Sequence, residues 1–380
     1  MQKRLGHLLN STVLCIRQKN VLIGVRLTIR PLSSSTTAKD SKPKTIFSGI
    51  QPTGVPHLGN YLGALRQWVK LQDIAADDTK LIFSLVDLHA ITIRQDPKQL
   101  RQWKKESLAM LLAIGLNPSR SIIFHQSDVP AHSELMWILS CQASTGYLGR
   151  MTQWKDKTAN EKEGSERLKL GLFSYPVLQA ADILVHGATH VPVGHDQAQH
   201  LEFSRQIANG FNEMHGHHIL VPPETIISPA KRIMSLTEPI KKMSKSHPNQ
   251  KSRILLTDPD DIVRSKIKSA ITDSIESIAY DPQHRPGVSN LVELLLHSTE
   301  TSNATTAYEL AKELDGLSLR ALKERVSDAV CHIINPIRER YAHTMSDPKI
   351  LRDVSEDGAR RAAKNAAKML ANVKEAVGLA

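Results

Sequence analysis

The chain has 380 residues, 41% hydrophobic and 23% charged, enough for two or three domains with full cores. No apolar run approaches the roughly 20 residues that a membrane-spanning helix needs, and three cysteines without a CxxC pair exclude a disulfide framework and a zinc-finger spacing. The formal net charge is +11, but Lys3, Arg4, Arg17, Lys19, Arg26, Arg30 and Lys39 all precede the first acid, and without those seven the chain carries 42 basic against 38 acidic residues.

That basic segment ends in Ser33-Ser34-Ser35-Thr36-Thr37 and predicts a mitochondrial transit peptide over residues 1–40, removed between Arg30 and Asp40. A secretory signal would need an unbroken apolar core, and Asn10, Ser11 and Thr12 interrupt it. Residues 44–50 read as a strand, followed by a Gly/Pro-rich turn; from Gly59 the positions Tyr61, Leu62, Leu65, Trp68 and Leu71 recur at helical spacing. Such a strand–loop–helix junction suits an anion, because unpaired N–H groups and the helix dipole converge there, and the natural ligand is a nucleotide phosphate. It is not a P-loop, since Asn60 and Tyr61 stand where Lys and Ser/Thr belong.

Residues 80–86 predict a second strand, Asp96-Pro97 the cap and first turn of a helix to about Gly115, residues 121–125 a third strand, and residues 131–144 a helix. This alternation argues for an α/β fold, a doubly wound parallel sheet. Residues 145–170 break the rhythm and are expected to leave the sheet as an insertion. Residues 172–184 form an apolar helical run with one carboxylate, Asp182. A buried unpaired charge costs several kcal/mol, roughly, so Asp182 either pairs with a nearby Lys or caps a helix, or accepts a hydrogen bond from a substrate. Val191-Pro192-Val193 then forms a strand ending in Gly194, before a helix over residues 199–208, and ligands bind at such strand ends.

His215, His217 and His218 lack partner cysteines and read as solvated loop residues. Lys241-Lys242-Met243-Ser244-Lys245-Ser246 reads as a basic loop able to close over a triphosphate. Beyond Ser252 the chain turns helical. Asp258-Pro259 and Asp347-Pro348 both read as an N-cap plus first-turn Pro, residues 287–297, 304–314, 319–335 and 358–377 show helical spacing, and Pro336 is expected to end or kink its helix. Arg360, Arg361, Lys364 and Lys368 form a basic stripe, open to phosphate contact or to plain solvation.

His57-Leu58-Gly59-Asn60 resembles the HIGH signature of class I aminoacyl-tRNA synthetases, with Asn60 replacing the second histidine, and KMSKS at Lys242–Ser246 is their second signature. GIQPTG with GNYLGA, VDLHAIT, YPVLQAADIL, VPVGHDQAQHLE and KKMSKS, in this order, resemble the tryptophanyl-tRNA synthetases of bacterial and mitochondrial type. The resemblance implies a Rossmann-like catalytic domain over residues 41–235, with the 145–170 insertion often forming the contact of a homodimer. It implies a KMSKS loop and linker over 236–257 and a helical anticodon-binding domain over 258–380. ATP would enter as a substrate with Mg²⁺ held mainly by its phosphates, without a protein zinc site. The other partners would be L-tryptophan and tRNA(Trp), in the mitochondrial matrix.

Position by position, the resemblance gives Gln51, Pro52, Thr53, Gly59, Asn60, Gly194, His195, Asp196, Ile233, Lys242, Met243, Ser244, Lys245 and Ser246 to ATP. It gives Asp182, Phe47, His89, Tyr175 and Gln197 to tryptophan. Lys242, Lys245, Asn60 and Lys157 would act on the reacting phosphates. His195 stands where Glu is commoner and His247 where Asp usually follows KMSKS, which implies tuned ATP affinity. A tyrosine-specific relative, a small-molecule adenylyltransferase of related fold and a catalytically retired RNA-binding relative are the alternatives.

Overall fold

β-Branched and aromatic runs become strands here because helices cover them on both faces. The computed structural model describes residues 43–159, 169–194, 197–227, 233–245, 247–299 and 304–380; the transit peptide expected over residues 1–40 lies outside them. The strands are β1 (Thr45–Ile50), β2 (Lys80–Leu85), β3 (Ile122–His125), β4 (His190–Val193) and β5 (Glu224–Ile227). They form one parallel sheet in the order β3-β2-β1-β4-β5. The winding direction therefore reverses between β1 and β4, and a crevice opens at the carboxyl ends of those two strands.

Side chains alternate across the sheet. Ile46, Leu81, Phe83 and Ile123 enter one core, with α2 (Arg66–Ile74) and α4 (Pro97–Ala113). Phe47, Ile82, Ile122 and Phe124 enter the other, with α5 (Ala131–Ser140), α8 (Leu170–Leu184) and α9 (Ala198–His215). The short helices α1 (Leu58–Asn60), α3 (Asp87–Ala90), α6 (Thr145–Leu148) and α7 (Thr152–Ala159) connect these layers. The carboxyl-terminal third supplies α10 (Asp260–Lys268), α11 (Pro286–Ser298), α12 (Ala307–Glu313), α13 (Leu319–Ser346) and α14 (Pro348–Ala376). Val330, Ile334 and Ile337 of α13 join the first core, and Ala362, Ala366, Leu370 and Val373 of α14 the second.

Several boundaries differ from expectation. The helix opening at Ala131 stops at Ser140, because Ser144 instead accepts a hydrogen bond from the Tyr147 N–H and caps α6. The helix expected over 199–208 runs on to His215, where Gly216 at φ 68° ends it, so His215 packs on Phe211 at 4.4 Å rather than lying in a loop. Pro259, not Asp258, caps α10; the Asp258 carboxylate is drawn to Lys266 Nζ at 2.5 Å. Pro336 does not end α13. The carbonyl it orphans belongs to exposed His332, where water can solvate it, while Ile334 and Ile337 hold both halves against the core.

The tightest approach is at Gly358 of α14, where a Cβ would lie 1.7 Å from the Ile123 carbonyl oxygen of β3. Gly358→Ala is expected to destabilise the fold by about 3 kcal/mol through overpacking, read as a lower urea midpoint. Gly210→Ala in α9, where a Cβ meets nothing within 4 Å, is the control and should stabilise by up to about 1 kcal/mol.

Candidate active site

The crevice between β1 and β4 holds a cavity of about 480 Å³. Its walls include Phe47, Gln51, Asn60, His89, Tyr175, Asp182, Gly194 and Gln197, so eight residues singled out in the sequence converge on one space. Phe47 and Gln51 come from β1 and the residue after it, Asn60 from α1, His89 from α3 just beyond β2, Tyr175 and Asp182 from α8, and Gly194 and Gln197 from between β4 and α9.

Asp182 is 1% exposed and has no lysine partner among the described residues. Its Oδ2 accepts from His89 Nε2 at 2.8 Å, and its Oδ1 from Gln126 Nε2 at 2.6 Å and His132 Nδ1 at 2.7 Å. Burial alone would raise its pKa, but the hydrogen bonds from His132 and His89 outweigh burial and hold the carboxyl well below the usual range. An ionised carboxylate offers about four acceptor positions. Three are filled, which leaves capacity for one further donor from the cavity. Gln126 is fixed in turn, since its Oε1 accepts from the Leu88 N–H at 3.1 Å.

Tyr175 donates to Gln153 Oε1 at 2.7 Å and lies 2.9 Å from His200 Nε2, and burial pushes its pKa up to about 12. Gln179 Nε2 donates to Gln197 Oε1 at 3.3 Å. Gln126, His132, Gln153 and Gln179 escaped the sequence reading. Gln126 directly follows a strand end, a signal that could have found it; His132 sits on a helix face among apolar residues and carried none.

The two signature segments meet beside this cavity. His57 Nδ1 accepts from the Asn60 N–H and Asn60 Oδ1 from the His57 N–H, both at 3.2 Å, which caps the helix start. Gly54 sits at φ 85°, a conformation that L side chains rarely adopt, and a Cβ there would also lie 2.9 Å from Trp103 Nε1. The Leu58 N–H donates to the Ile254 carbonyl at 2.8 Å and the Leu256 N–H to the Pro56 carbonyl at 3.1 Å, stitching the first segment to the chain just past the second. Lys245 Nζ then donates to the Gly54 carbonyl at 2.8 Å and reaches Thr53 Oγ1 at 3.3 Å. Burial lowers the Lys245 pKa to about 8. His57 is lowered to about 3 by burial, then by Lys245, Lys242 and Arg253, so it is a neutral acceptor at physiological pH.

The remaining candidates separate. Pro52 is buried beneath the glycine turn, and Ile233 lies close enough to Gly59 that a Cβ there would meet it at 3.4 Å. Met243 is 2% exposed in the core and its N–H donates to the Ile233 carbonyl, so its side chain does not face the cavity. Lys242 is exposed and Ser244 half-buried. His247 accepts from the Asn249 N–H at Nδ1 and donates from Nε2 to Glu238 at 2.6 Å, bracing the base of the lysine loop. His195, Asp196, Ser246 and the Lys157 side chain lie outside the described residues. No group of three or more His, Cys, Asp or Glu among the described residues could hold a metal. Of the basic stripe on α14, Arg360 pairs with Asp357 and Arg361 donates to the Pro118 carbonyl at 2.6 Å. Lys364 and Lys368 are exposed and line a second cavity of about 500 Å³ with Lys80 and Arg120.

The mitochondrial tryptophan–tRNA ligase of Schizosaccharomyces pombe is 44% identical over 347 residues, covering 88% of this chain and 95% of that protein. The crystal structure of tryptophanyl-tRNA synthetase from Mycoplasma pneumoniae superposes with a TM-score of 0.77 at 32% identity, covering 89% of this chain and 99% of that one. That from Campylobacter jejuni, complexed with ADP and tryptophan, gives 0.73 at 30% identity, covering 88% and 100%. A family model described as tRNA synthetases class I (W and Y) matches residues 39–335, most of the chain and both signature segments, and the chain belongs to that family.

Proposed function

We propose that this chain is a tryptophan–tRNA ligase of mitochondrial protein synthesis, acting in the matrix on L-tryptophan, ATP and tRNA(Trp). The observation that carries the reading is Asp182, a buried ionised carboxylate with one acceptor position left, set in a cavity beside two loops that meet through Lys245. The indole N–H of tryptophan supplies the missing donor. Phe47, His89, Tyr175 and Gln197 enclose the rest of the side chain. Gln51, Thr53, Gly59, Asn60 and Gly194 face the nucleotide, with His195, Asp196 and the lysine loop closing over it.

ATP enters with Mg²⁺ held by its phosphates. The tryptophan carboxylate attacks the α-phosphorus in line, the bond from that phosphorus to the α,β-bridging oxygen breaks, and pyrophosphate leaves with its Mg²⁺. A hydroxyl of the terminal tRNA adenosine then attacks the activated carbonyl and releases AMP. The protein supplies alignment and positive charge rather than a nucleophile. Lys245 exchanges neutral carbonyl partners for phosphate oxygens, and Lys242 and Lys157 approach the same charge. The helical carboxyl-terminal region meets the anticodon, with exposed Lys364 and Lys368 as phosphate contacts, and the 145–170 stretch joins two copies in a homodimer.

Purified protein with tryptophan and ATP, without tRNA, should exchange labelled pyrophosphate into ATP; exchange supported by tyrosine alone overturns the assignment. Lys245→Ala should slow this exchange about a hundredfold, the loss of roughly 3 kcal/mol of charge stabilisation, with tryptophan affinity unchanged. Because Lys245 carries its proton below pH about 8 and loses it above, kcat/KM for ATP should fall on the alkaline side of that value. Lys245→Arg should move that limb upward, since a guanidinium stays charged.

Asp182→Asn should raise the KM for tryptophan and erase the preference for tryptophan over its analogue with sulfur in place of the indole N–H. Parallel kinetics of the two substrates, in wild type and variant, measure it.

A further inference from the structure

A line of hydrogen bonds runs from the surface to Asp182 through residues the proposed chemistry does not use. Lys80 Nζ donates to Asn365 Oδ1 at 2.9 Å. Asn365 Nδ2 lies 3.1 Å from His186 Nδ1 and 3.2 Å from the His186 carbonyl. His186 Nε2 lies 3.3 Å from His132 Nε2, and His132 Nδ1 lies 2.7 Å from Asp182 Oδ1. His132 is 0% exposed and His186 4%.

The first donor settles every later proton. An ammonium only donates, so the Asn365 oxygen accepts and its nitrogen donates. His186 Nδ1 must then accept, which places the single proton of that ring on Nε2. That proton points at His132 Nε2, which accepts, so the His132 proton sits on Nδ1 and is given to Asp182. Both rings are thereby neutral and each is held in one tautomer. Burial pushes the pKa of His186 well below its ordinary value, in keeping with a neutral ring. The rings are fixed in place as well: Phe47 stacks on His186 at 5.7 Å, and Phe124 meets it edge-on at 5.6 Å.

We propose that Asn365, His186 and His132 form a polarised positioning relay that keeps Asp182 an ionised, correctly turned acceptor, so that the last helix sets the selectivity of the amino-acid pocket. The inference rests on the reading of Asp182 as the indole acceptor. A protonated Asp182 would present an O–H to an N–H, donor against donor, and discrimination would be lost.

Reversing the relay tests it. Asn365→Asp keeps an acceptor for Lys80 but puts a second acceptor opposite His186 Nδ1. His186 must then donate there and accept at Nε2, and His132 can serve both Asp182 and His186 only as an imidazolium. The groups facing the pair are Asp182 from α8, His89 from α3, Lys80 from β2 and the new carboxylate on α14. The variant's KM for tryptophan should therefore depend on pH, rising about tenfold as that extra proton leaves, the loss of one charged hydrogen bond. The wild-type KM should stay flat over the same range. Preference for tryptophan over the sulfur analogue should fall with it, and the KM for ATP should not move.

A folded Asn365→Asp protein with wild-type tryptophan KM at every pH overturns the relay. Should that variant fail to fold, Lys80→Glu at the exposed end turns the Asn365 amide around and carries the same expectation and the same refutation. Asp182→Asn separates the two claims. If it keeps the preference against the analogue, the indole reading fails; if it loses the preference while both relay variants keep theirs, only the relay fails.

Discussion

A charge taken out of water must be given donors, and Asp182 shows how much of a fold one such demand can organise. Its three donors arrive on three elements: His89 on α3, Gln126 just past β3, and His132 on α5. They meet because β2 and β3 end at the same edge of a parallel sheet, beside the strands where the winding reverses. Loss of any one would return part of the desolvation cost to the carboxylate. The pocket is therefore shaped by electrostatic necessity as much as by packing.

Much of this was legible in the residues. The apolar runs gave four strands at or within a residue of their observed ends, and Asp96-Pro97 and Asp347-Pro348 marked helix starts where caps form. β5 was missed because Glu224-Thr225-Ile226-Ile227 offers only two apolar residues, set among Pro222, Pro223 and Pro229, where β3 and β4 carry longer apolar runs. The cavity residues were legible through resemblance and through the strand-end rule. His132, His186 and Asn365 were not, since their partners are 50 to 179 positions away and nothing in local spacing announces such contacts.

The lysine loop illustrates a second limit. His247 departs from the usual residue after KMSKS, and the sequence suggested an influence on ATP. In the folded chain its Nε2 is committed to Glu238 and its Nδ1 to the Asn249 N–H, so its visible work is to brace the loop's base. Lys245, meanwhile, is parked on backbone carbonyls and its proton is held less tightly than in water. Moving from neutral oxygens to phosphate oxygens strengthens its bonds, because charge-assisted contacts are the stronger kind.

Gly358 bears on how such a chain can be taken apart. With no side chain between them, α14 and β3 touch backbone to backbone, and the apolar stripe from Ala362 to Val373 completes the same core that begins at Phe47. The carboxyl-terminal helices are thus not a detachable cassette. Cutting before α14 would strip one wall from the sheet, so swapping this end for that of a distant relative means redesigning the sheet surface along with it.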